Sequence, residues 1–536
     1  MRYAAFAMAL LLAGVAVAQS PADPAALGKR LYYQGRDASG AAVRAAVRRD
    51  VAMTGAELAC VKCHRRSGFG SSESSVVIPP ITGQMLFNAQ SAGFQRDYRG
   101  KRLGNMERAA YTLTTLGRAL REGIDASGRP LAPMMPRYDF SDEEVAALAT
   151  FLATLSSKAA PGVGARELHF ATVLTPDTPP EQRRAMVEVL EHYVATKNAG
   201  IRNETRRAEH APFQMEWSYT AYRKWVLHTW QLQGPAWSWG AQLDKLYRDQ
   251  PVFALLGGAG GEQWQPVHTF CETQQVPCLF PHISAPPPPG SDDFYSLYFS
   301  AGLRLEARTL AAALAQGDAR RIVQLRRNNT AQVAADELRK ALATRPGVQL
   351  VDRVIGRGQR LDQNFWTGLL SQEHPDVLVV WLQQSDRAAL DALPLAEDTP
   401  ATIYLSSTLL PDSQGLTHHP LAARMNLLHP YLLPDDQQRT QRFQSWARLA
   451  GIKLNEPRVQ ADAYFAATLA GEALMHIRGN FSREYFIERI EHMTDNMLNT
   501  SYYPRLSLAP GQRYAAKGAY VWPLGQSPRQ ARWIVP

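Results

Sequence analysis

The sequence predicts a multidomain chain: a small all-α domain followed by a larger, two-lobed α/β domain. Three observations predict it. A C-x-x-C-H motif, Cys60 to His64, follows a stretch of helical pattern; a small, Pro- and Gly-containing run, SSKAAPGVGARE, follows Leu155; and from residue 167 short apolar runs alternate with amphipathic segments. A length of 536 residues agrees with more than one core. The expected divisions are a leader at 1–18, a first domain at 25–157, a linker at 158–166 and a second domain at 167–536.

The chain opens MRYAAFAMALLLAGVAVAQS, in which Arg2 is a small charged region, an apolar run follows, and Ala16-Val17-Ala18 fits a small-x-small cleavage site before Gln19. This is the pattern of a secretory leader, so the mature protein is expected as a soluble protein of the periplasm. No cysteine stands at the cleavage point, so no lipid anchor is expected, and no later stretch approaches the ~20 apolar residues of a membrane span. The net charge is +9, from 58 basic and 49 acidic side chains. It favours acidic partners or anionic surfaces. With no nucleic-acid motif beside it, the excess reads as a solvated surface, and nucleic acid is not an expected partner.

Cys60-Val61-Lys62-Cys63-His64 has the spacing of c-type haem attachment. Two thiols must add to two vinyl groups of one porphyrin while the adjacent imidazole reaches the iron, and one turn of backbone supplies all three. A zinc site would want a second ligand pair nearby, and a redox dithiol would want a βαβ context. The other two cysteines, Cys271 and Cys278, are more than 200 residues away. One covalent haem c is therefore the expected cofactor, with Cys60 and Cys63 as its links and His64 as an iron ligand. The second axial position is expected from Pro133-Met134-Met135-Pro136, because proline stiffens the loop and can present a thioether to iron. Ser141 and Glu144 form a capping box for the helix after it, whose Val145, Leu148, Leu152 and Leu155 share one face.

The order of helix, CxxCH, long loop, Met-Pro and C-terminal helix resembles the class I cytochrome c family over residues 25–157. That resemblance implies an electron-transfer haem domain and makes Met135, directly before Pro136, the better match to the methionine ligand, with Met134 the alternative. It also implies that 65–87 is the loop after the haem motif, with Pro79-Pro80 against the ring edge. Arg65, Arg66, Arg96, Arg99, Lys101 and Arg102 form a basic set that could steer an acidic redox partner.

In the second domain, strands are expected at 168–174, 252–258, 277–281, 321–327, 376–382 and 401–407, and helices at 180–196, 305–316, 331–344 and 437–451. The runs VFALLGGAGGEQWQPVHTFCETQQVPCLFPHISAPPP (252–288), DFYSLYFSAGLRLEARTLAAAL (293–314) and YAAKGAYVW (514–522) resemble the type I periplasmic binding proteins, the solute receptors of branched-chain amino-acid importers. The resemblance implies a small-molecule ligand between two lobes, held at the carboxyl ends of strands and at helix N-termini. It maps onto Gly257, Gly258, Ala259 and Gly260, then Trp264, and onto His282, Ile283 and Ser284. The sequence departs from the family by placing glycines where amino-acid binders carry Ser or Thr, which puts amino-acid binding in doubt. Trp217, Trp237, Trp239 and Trp264 could line an apolar cleft, although burial as core is the commoner role of tryptophan. Cys271 and Cys278 could form a disulfide, since the compartment permits it.

GGAGGEQW lacks the Lys-Ser/Thr of a phosphate-binding loop, no nucleophile motif is present, and His418 and His419 have no carboxylate pair at metal spacing. A catalyst is not expected. Two functions remain: a mono-haem electron carrier whose second domain docks or responds to a ligand, or a periplasmic solute-binding or sensor protein in which the haem plays a secondary or redox-sensing role. The fusion looks like the companions of periplasmic quinoprotein alcohol dehydrogenases, which implies such an enzyme as the redox partner.

Overall fold

The computed structural model describes residues 23–47, 51–73, 76–90, 107–210, 223–327, 329–356, 358–397, 399–477, 481–495 and 498–536. The leader, Arg96, Arg99, Lys101, Arg102 and Trp217 lie outside them. The chain divides into two compact units, Met1–Lys158 and Ala159–Pro536.

The first unit contains, in order, α1 (Pro24–Gln34), β1 (Arg44–Val47), β2 (Val51–Thr54), α2 (Val61–His64), β3 (Ser71–Glu73), β4 (Val76–Ile78), α3 (Gly83–Leu86), α4 (Leu113–Arg121), β5 (Arg137–Tyr138) and α5 (Asp142–Thr154). Helix α1 starts at Pro24 with Asp23 as its cap and ends at Gly35, whose φ of +61° is left-handed. Helix α5 has the expected capping box: Glu144 N–H donates to Ser141 Oγ at 3.2 Å, and Ser141 N–H to Glu144 Oε2 at 2.8 Å. Val145, Leu148, Leu152 and Leu155 are all buried, in one core with Leu27, Leu31, Leu116 and Leu120. The two terminal helices cross at Gly28, where a Cβ would lie 2.2 Å from the Ala147 carbonyl oxygen. Tyr32 and Phe151 pack beside that crossing with ring centroids 5.3 Å apart.

Helices carry this core, as expected, but the unit is not purely helical. A three-stranded antiparallel sheet, β2-β1-β5, pairs Ala45 with Met53 and Tyr138, and β3 pairs with β4. The alanine-rich segment before Cys60 therefore forms a hairpin and a single 3₁₀ turn, Gly55–Leu58, where its composition reads as helix. Antiparallel partners override helix propensity at such short range.

The second unit holds two sheets. The first collects β6 (Glu167–Leu174), β7 (Lys224–Gln231), β8 (Ala254–Leu256), β9 (Cys278–Leu279) and β10 (Ser296–Leu297), all parallel, in the order β10-β9-β8-β6-β7. Its helices are α6 (Pro180–His210), α7 (Trp239–Asp249) and α8 (Gln265–Thr273). After α9 (Leu303–Leu314), the second sheet takes β11 (Arg321–Arg326), β12 (Gln349–Val354), β13 (Val377–Trp381), β14 (Thr402–Ser406) and β15 (Met425–His429) in parallel, with α10 (Asn329–Leu342) and α11 (Gln363–Glu373) between them. The chain then supplies α12 (Gln441–Leu449), α13 (Pro457–Met475) and α14 (Arg483–Met493). Helices α13 and α14 join the core of the first sheet. Strands β16 (Ala519–Pro523) and β17 (Arg532–Ile534) close the second sheet antiparallel, in the order β12-β11-β13-β14-β15-β16-β17. Cys271 and Cys278 are joined by a disulfide, with Cα atoms 6.2 Å apart.

Segment 158–166, expected as a linker, is fastened to the second unit from residue 159 onward. The Gly164 N–H donates to the Glu167 carbonyl at 2.9 Å, and the His169 N–H to the Gly162 carbonyl at 2.9 Å. Buried Arg483 spreads its guanidinium over the carbonyls of Pro161, Val252, Phe253, Gln274 and Gln275. Small residues and proline read as a free linker, yet the five donors of one arginine can satisfy a whole cluster of carbonyls that no strand pairs.

Gly28→Val drives two methyl groups into the α1–α5 crossing and is expected to destabilise the first unit by about 1–3 kcal/mol. Denaturant unfolding followed through the first unit checks it, and a variant as stable as the parent contradicts the close packing of these helices.

Candidate functional site

Cys60, Cys63 and His64 share one helical turn, fixed by His64 N–H to Cys60 O at 2.8 Å and Arg65 N–H to Val61 O at 3.0 Å. Arg65 stops the turn at φ +66°, and helix α1 holds the carbonyls that follow: Tyr32 OH donates to Arg65 O at 2.6 Å and Tyr33 OH to Arg66 O at 3.1 Å. Cys60 is buried and Cys63 is exposed, and neither is in a disulfide. Burial pushes the Cys60 thiol up to about 12.

The buried His64 ring sits with Nδ1 2.9 Å from the Pro79 carbonyl oxygen. A carbonyl can only accept, so Nδ1 carries the proton and Nε2 keeps its lone pair. Burial pulls the imidazole down to about 4, with the Pro79 bond opposing, so the ring is neutral at ordinary pH. Among the described residues no group of three or more His, Cys, Asp and Glu side chains converges as direct metal coordination would require. Two cysteines a turn apart and an imidazole with one nitrogen reserved are groups that would hold a covalent haem, which would supply one-electron redox chemistry.

Residues 132–135 form a turn closed by Met135 N–H to Ala132 O at 3.0 Å, and Arg137 donates to the Met135 carbonyl before pairing in β5. Met135 packs against the same core as Cys60, whereas Met134 is 53% exposed. The two methionines that the sequence leaves as alternatives thus differ in burial. Sequence reasoning also missed the Pro79 carbonyl, since a backbone oxygen leaves no mark in residue type.

In the second unit the expected glycine turn follows β8, but it is built for packing. Gly258 has φ +110° and a Cβ there would lie 3.0 Å from the Trp264 ring, while one on Gly260 would lie 2.5 Å from it. The N–H groups of Gly257, Ala259, Gly260, Gly261 and Glu262 all donate within the protein. Trp264, 4% exposed, and Trp239 belong to the core, and Trp237 is 86% exposed. Gly258, Gly260 and Trp264, expected as ligand-binding, pack on one another: the indole fills the space the two glycines leave bare. Ser284 braces the start of α9 by accepting from Leu303 N–H at 2.9 Å. His282 does reach a polar cluster, its Nδ1 2.7 Å from Asp462 Oδ2.

That cluster lies beyond the carboxyl ends of β9, β14 and β15, where parallel sheets place ligands. Glu306 Oε1, from the first turn of α9, accepts from Thr408 N–H at 3.2 Å and Oγ1 at 2.6 Å, and Thr408 Oγ1 is 3.1 Å from the Tyr431 hydroxyl. The Arg458 guanidinium lies 4.5 Å from the centre of the Tyr431 ring. Burial pushes the Glu306 carboxyl up to about 7, against the hydroxyls of Ser406 and Thr408 and the Arg458 charge; it raises Asp462 as well, against His282 and Arg458. None of Glu306, Thr408, Tyr431 and Arg458 has a spacing that marks it in sequence. One signal was present, an aspartate in the otherwise apolar middle of α13, VQADAYFAATLAG.

Between the ordinary value of 4.5 and about 7, the folded chain holds a proton on Glu306 that the unfolded chain has released. Stability therefore falls as pH rises through that window, by on the order of 3 kcal/mol. Glu306→Gln is expected to remove this slope, leaving the second unit more stable than the parent above pH about 7 and unchanged at pH about 4. Denaturant unfolding at the two pH values measures it.

Residues 52–156 match the Cytochrome c family. No curated protein matches the chain. Similar solved structures include a leucine binding protein from Thermotoga maritima (13% identity, TM-score 0.47, covering 66% of this chain and 94% of that one). Others are a fatty acid ABC transporter substrate-binding protein from Thermomonospora curvata (12%, 0.47, 70% and 94%) and a branched-chain amino acid transporter substrate binding protein from Streptococcus pneumoniae in complex with isoleucine (11%, 0.47, 69% and 100%). The CxxCH turn, the reserved imidazole nitrogen and the family match agree: the chain carries a cytochrome c domain, which implies covalently bound haem c.

Proposed function

We propose that the protein is a periplasmic electron carrier with one haem c, linked through Cys60 and Cys63 and ligated by His64 and Met135. Its α/β unit is read as a periplasmic-binding-protein-like domain that takes a small-molecule ligand. The observation that carries this reading is the His64–Pro79 bond, which fixes the tautomer a proximal ligand needs and orients the ring. Bound there, the haem supplies one-electron exchange between ferric and ferrous iron. The protein's own part is to hold the imidazole neutral and oriented and to seat Met135 on the domain core, where it would serve as the second ligand. This supports a carrier over a catalyst. Among the described residues no helix is long and apolar enough to cross a membrane.

Optical spectra of oxidised and reduced protein test the ligand set. The parent and Met134→Ala are expected to be low-spin with a sulfur-to-iron band, and Met135→Ala to lose that band. A high-spin parent, or loss of the band in Met134→Ala, overturns the assignment.

The electron donor in this proposal is a periplasmic quinoprotein alcohol dehydrogenase. Mixed with such an enzyme and its alcohol, the ferric haem is expected to be reduced faster than with the alcohol alone; an unchanged rate removes this partner.

A further inference from the structure

The cluster between the two sheets contains a cation that the protein itself leaves uncompensated. Arg458, the second residue of α13, is half-buried and stacked on Tyr431, and among the described residues it makes no ion pair or hydrogen bond. Asp462, one helical turn on, does not pair with it and holds His282 instead. The field of Arg458 nonetheless reaches groups from several elements: Glu306 on α9, His429 on β15 with Tyr431 after it, Asp462 on α13, and Tyr502 and Tyr503. Around it, three buried polar atoms lack a partner: Glu306 Oε2, His429 Nδ1 and Asp462 Oδ1. All three residues are more than nine-tenths buried. Buried polar groups are rarely left without a partner, so their gathering in one place points to a ligand that completes them.

The chemistry of the donors narrows that ligand. A guanidinium stacked on an aromatic ring and lacking a carboxylate of its own suits a planar anion taken by two parallel N–H bonds. The carboxylates offer no matching charge for an ammonium group, because Asp462 is occupied by His282 and burial disfavours ionisation of Glu306. A neutral donor, a hydroxyl, suits them better. We propose that this cleft binds a small hydroxycarboxylate, its carboxylate on Arg458 and its hydroxyl on the Glu306 side, with Tyr431 as the floor. The proposal rests on reading the α/β unit as a ligand-binding domain, and it departs from the amino-acid zwitterion which that type of domain would suggest.

The test is calorimetric titration of the full-length haem protein with lactate and mandelate, with alanine and phenylalanine, and with ethanol and benzyl alcohol. Saturable binding of a hydroxycarboxylate is expected, weakened about tenfold or more by Arg458→Gln and less by Arg458→Lys. Thermal unfolding of both variants, and an unchanged haem spectrum, separate lost contact from lost fold. Binding of amino acids or alcohols alone overturns the ligand class while keeping a ligand-binding domain. Hydroxycarboxylate binding that Arg458→Gln leaves within twofold of the parent overturns the site. If none of the six binds, the proposal and the ligand-binding reading fall together, and the haem assignment stands apart from both.

Discussion

The first unit turns on a single hydrogen bond, 2.9 Å long, from Nδ1 of the buried His64 to the Pro79 carbonyl. An imidazole has two nitrogens, and this bond assigns them opposite tasks. The loop from Gly68 to Pro80 has to return to the motif for the bond to exist. It does so through Ile81 N–H to Gly68 O at 2.7 Å and Gly70 N–H to His64 O at 3.1 Å. Gly70 has φ +74° and a Cβ on it would meet the Ile78 carbonyl at 2.1 Å, so the return needs glycine. The crossing of α1 and α5 at Gly28 then sets the wall on which Tyr32 and Tyr33 reach the carbonyls after the motif.

The sequence was most informative where chemistry is local. Cys60, Cys63 and His64 announce themselves because their function needs fixed spacing within one turn. The Ser141–Glu144 box and the buried face of α5 follow from helical periodicity alone. The strands β6, β8, β9, β11, β13 and β14 stood out as apolar runs, since parallel strands are covered on both faces. Strand β12, QLVDRV, lies at a sheet edge, and β7, KWVLHTWQ, is partly polar and at the other sheet's edge; neither forms such a run. Residue type cannot tell a cleft wall from a filler of glycine-lined space, and Trp264 takes the core role that sequence gives as the commoner one.

The cluster around Arg458 was beyond sequence reading for a geometric reason. Its members come from residues 282, 306, 408, 429–431 and 458–462, and they meet because parallel strands bring their carboxyl ends to one side. Each residue taken singly is unremarkable in sequence. Together they form a buried polar set inside cores that are otherwise apolar, the combination in which electrostatic effects are strongest.

Arg483 has a consequence for how the chain divides. Its guanidinium reads the Pro161 carbonyl together with those at the start of β8 and the end of α8, and the Tyr247 hydroxyl completes the set. Composition invites a cut at Glu167, where the first long strand begins. A fragment begun there would leave a buried cation short of one acceptor and strip Gly162 from its seat against Val252 and Phe253. The compact unit starts earlier, at Ala159, so its small, proline-containing opening is built into the second fold rather than set apart from it.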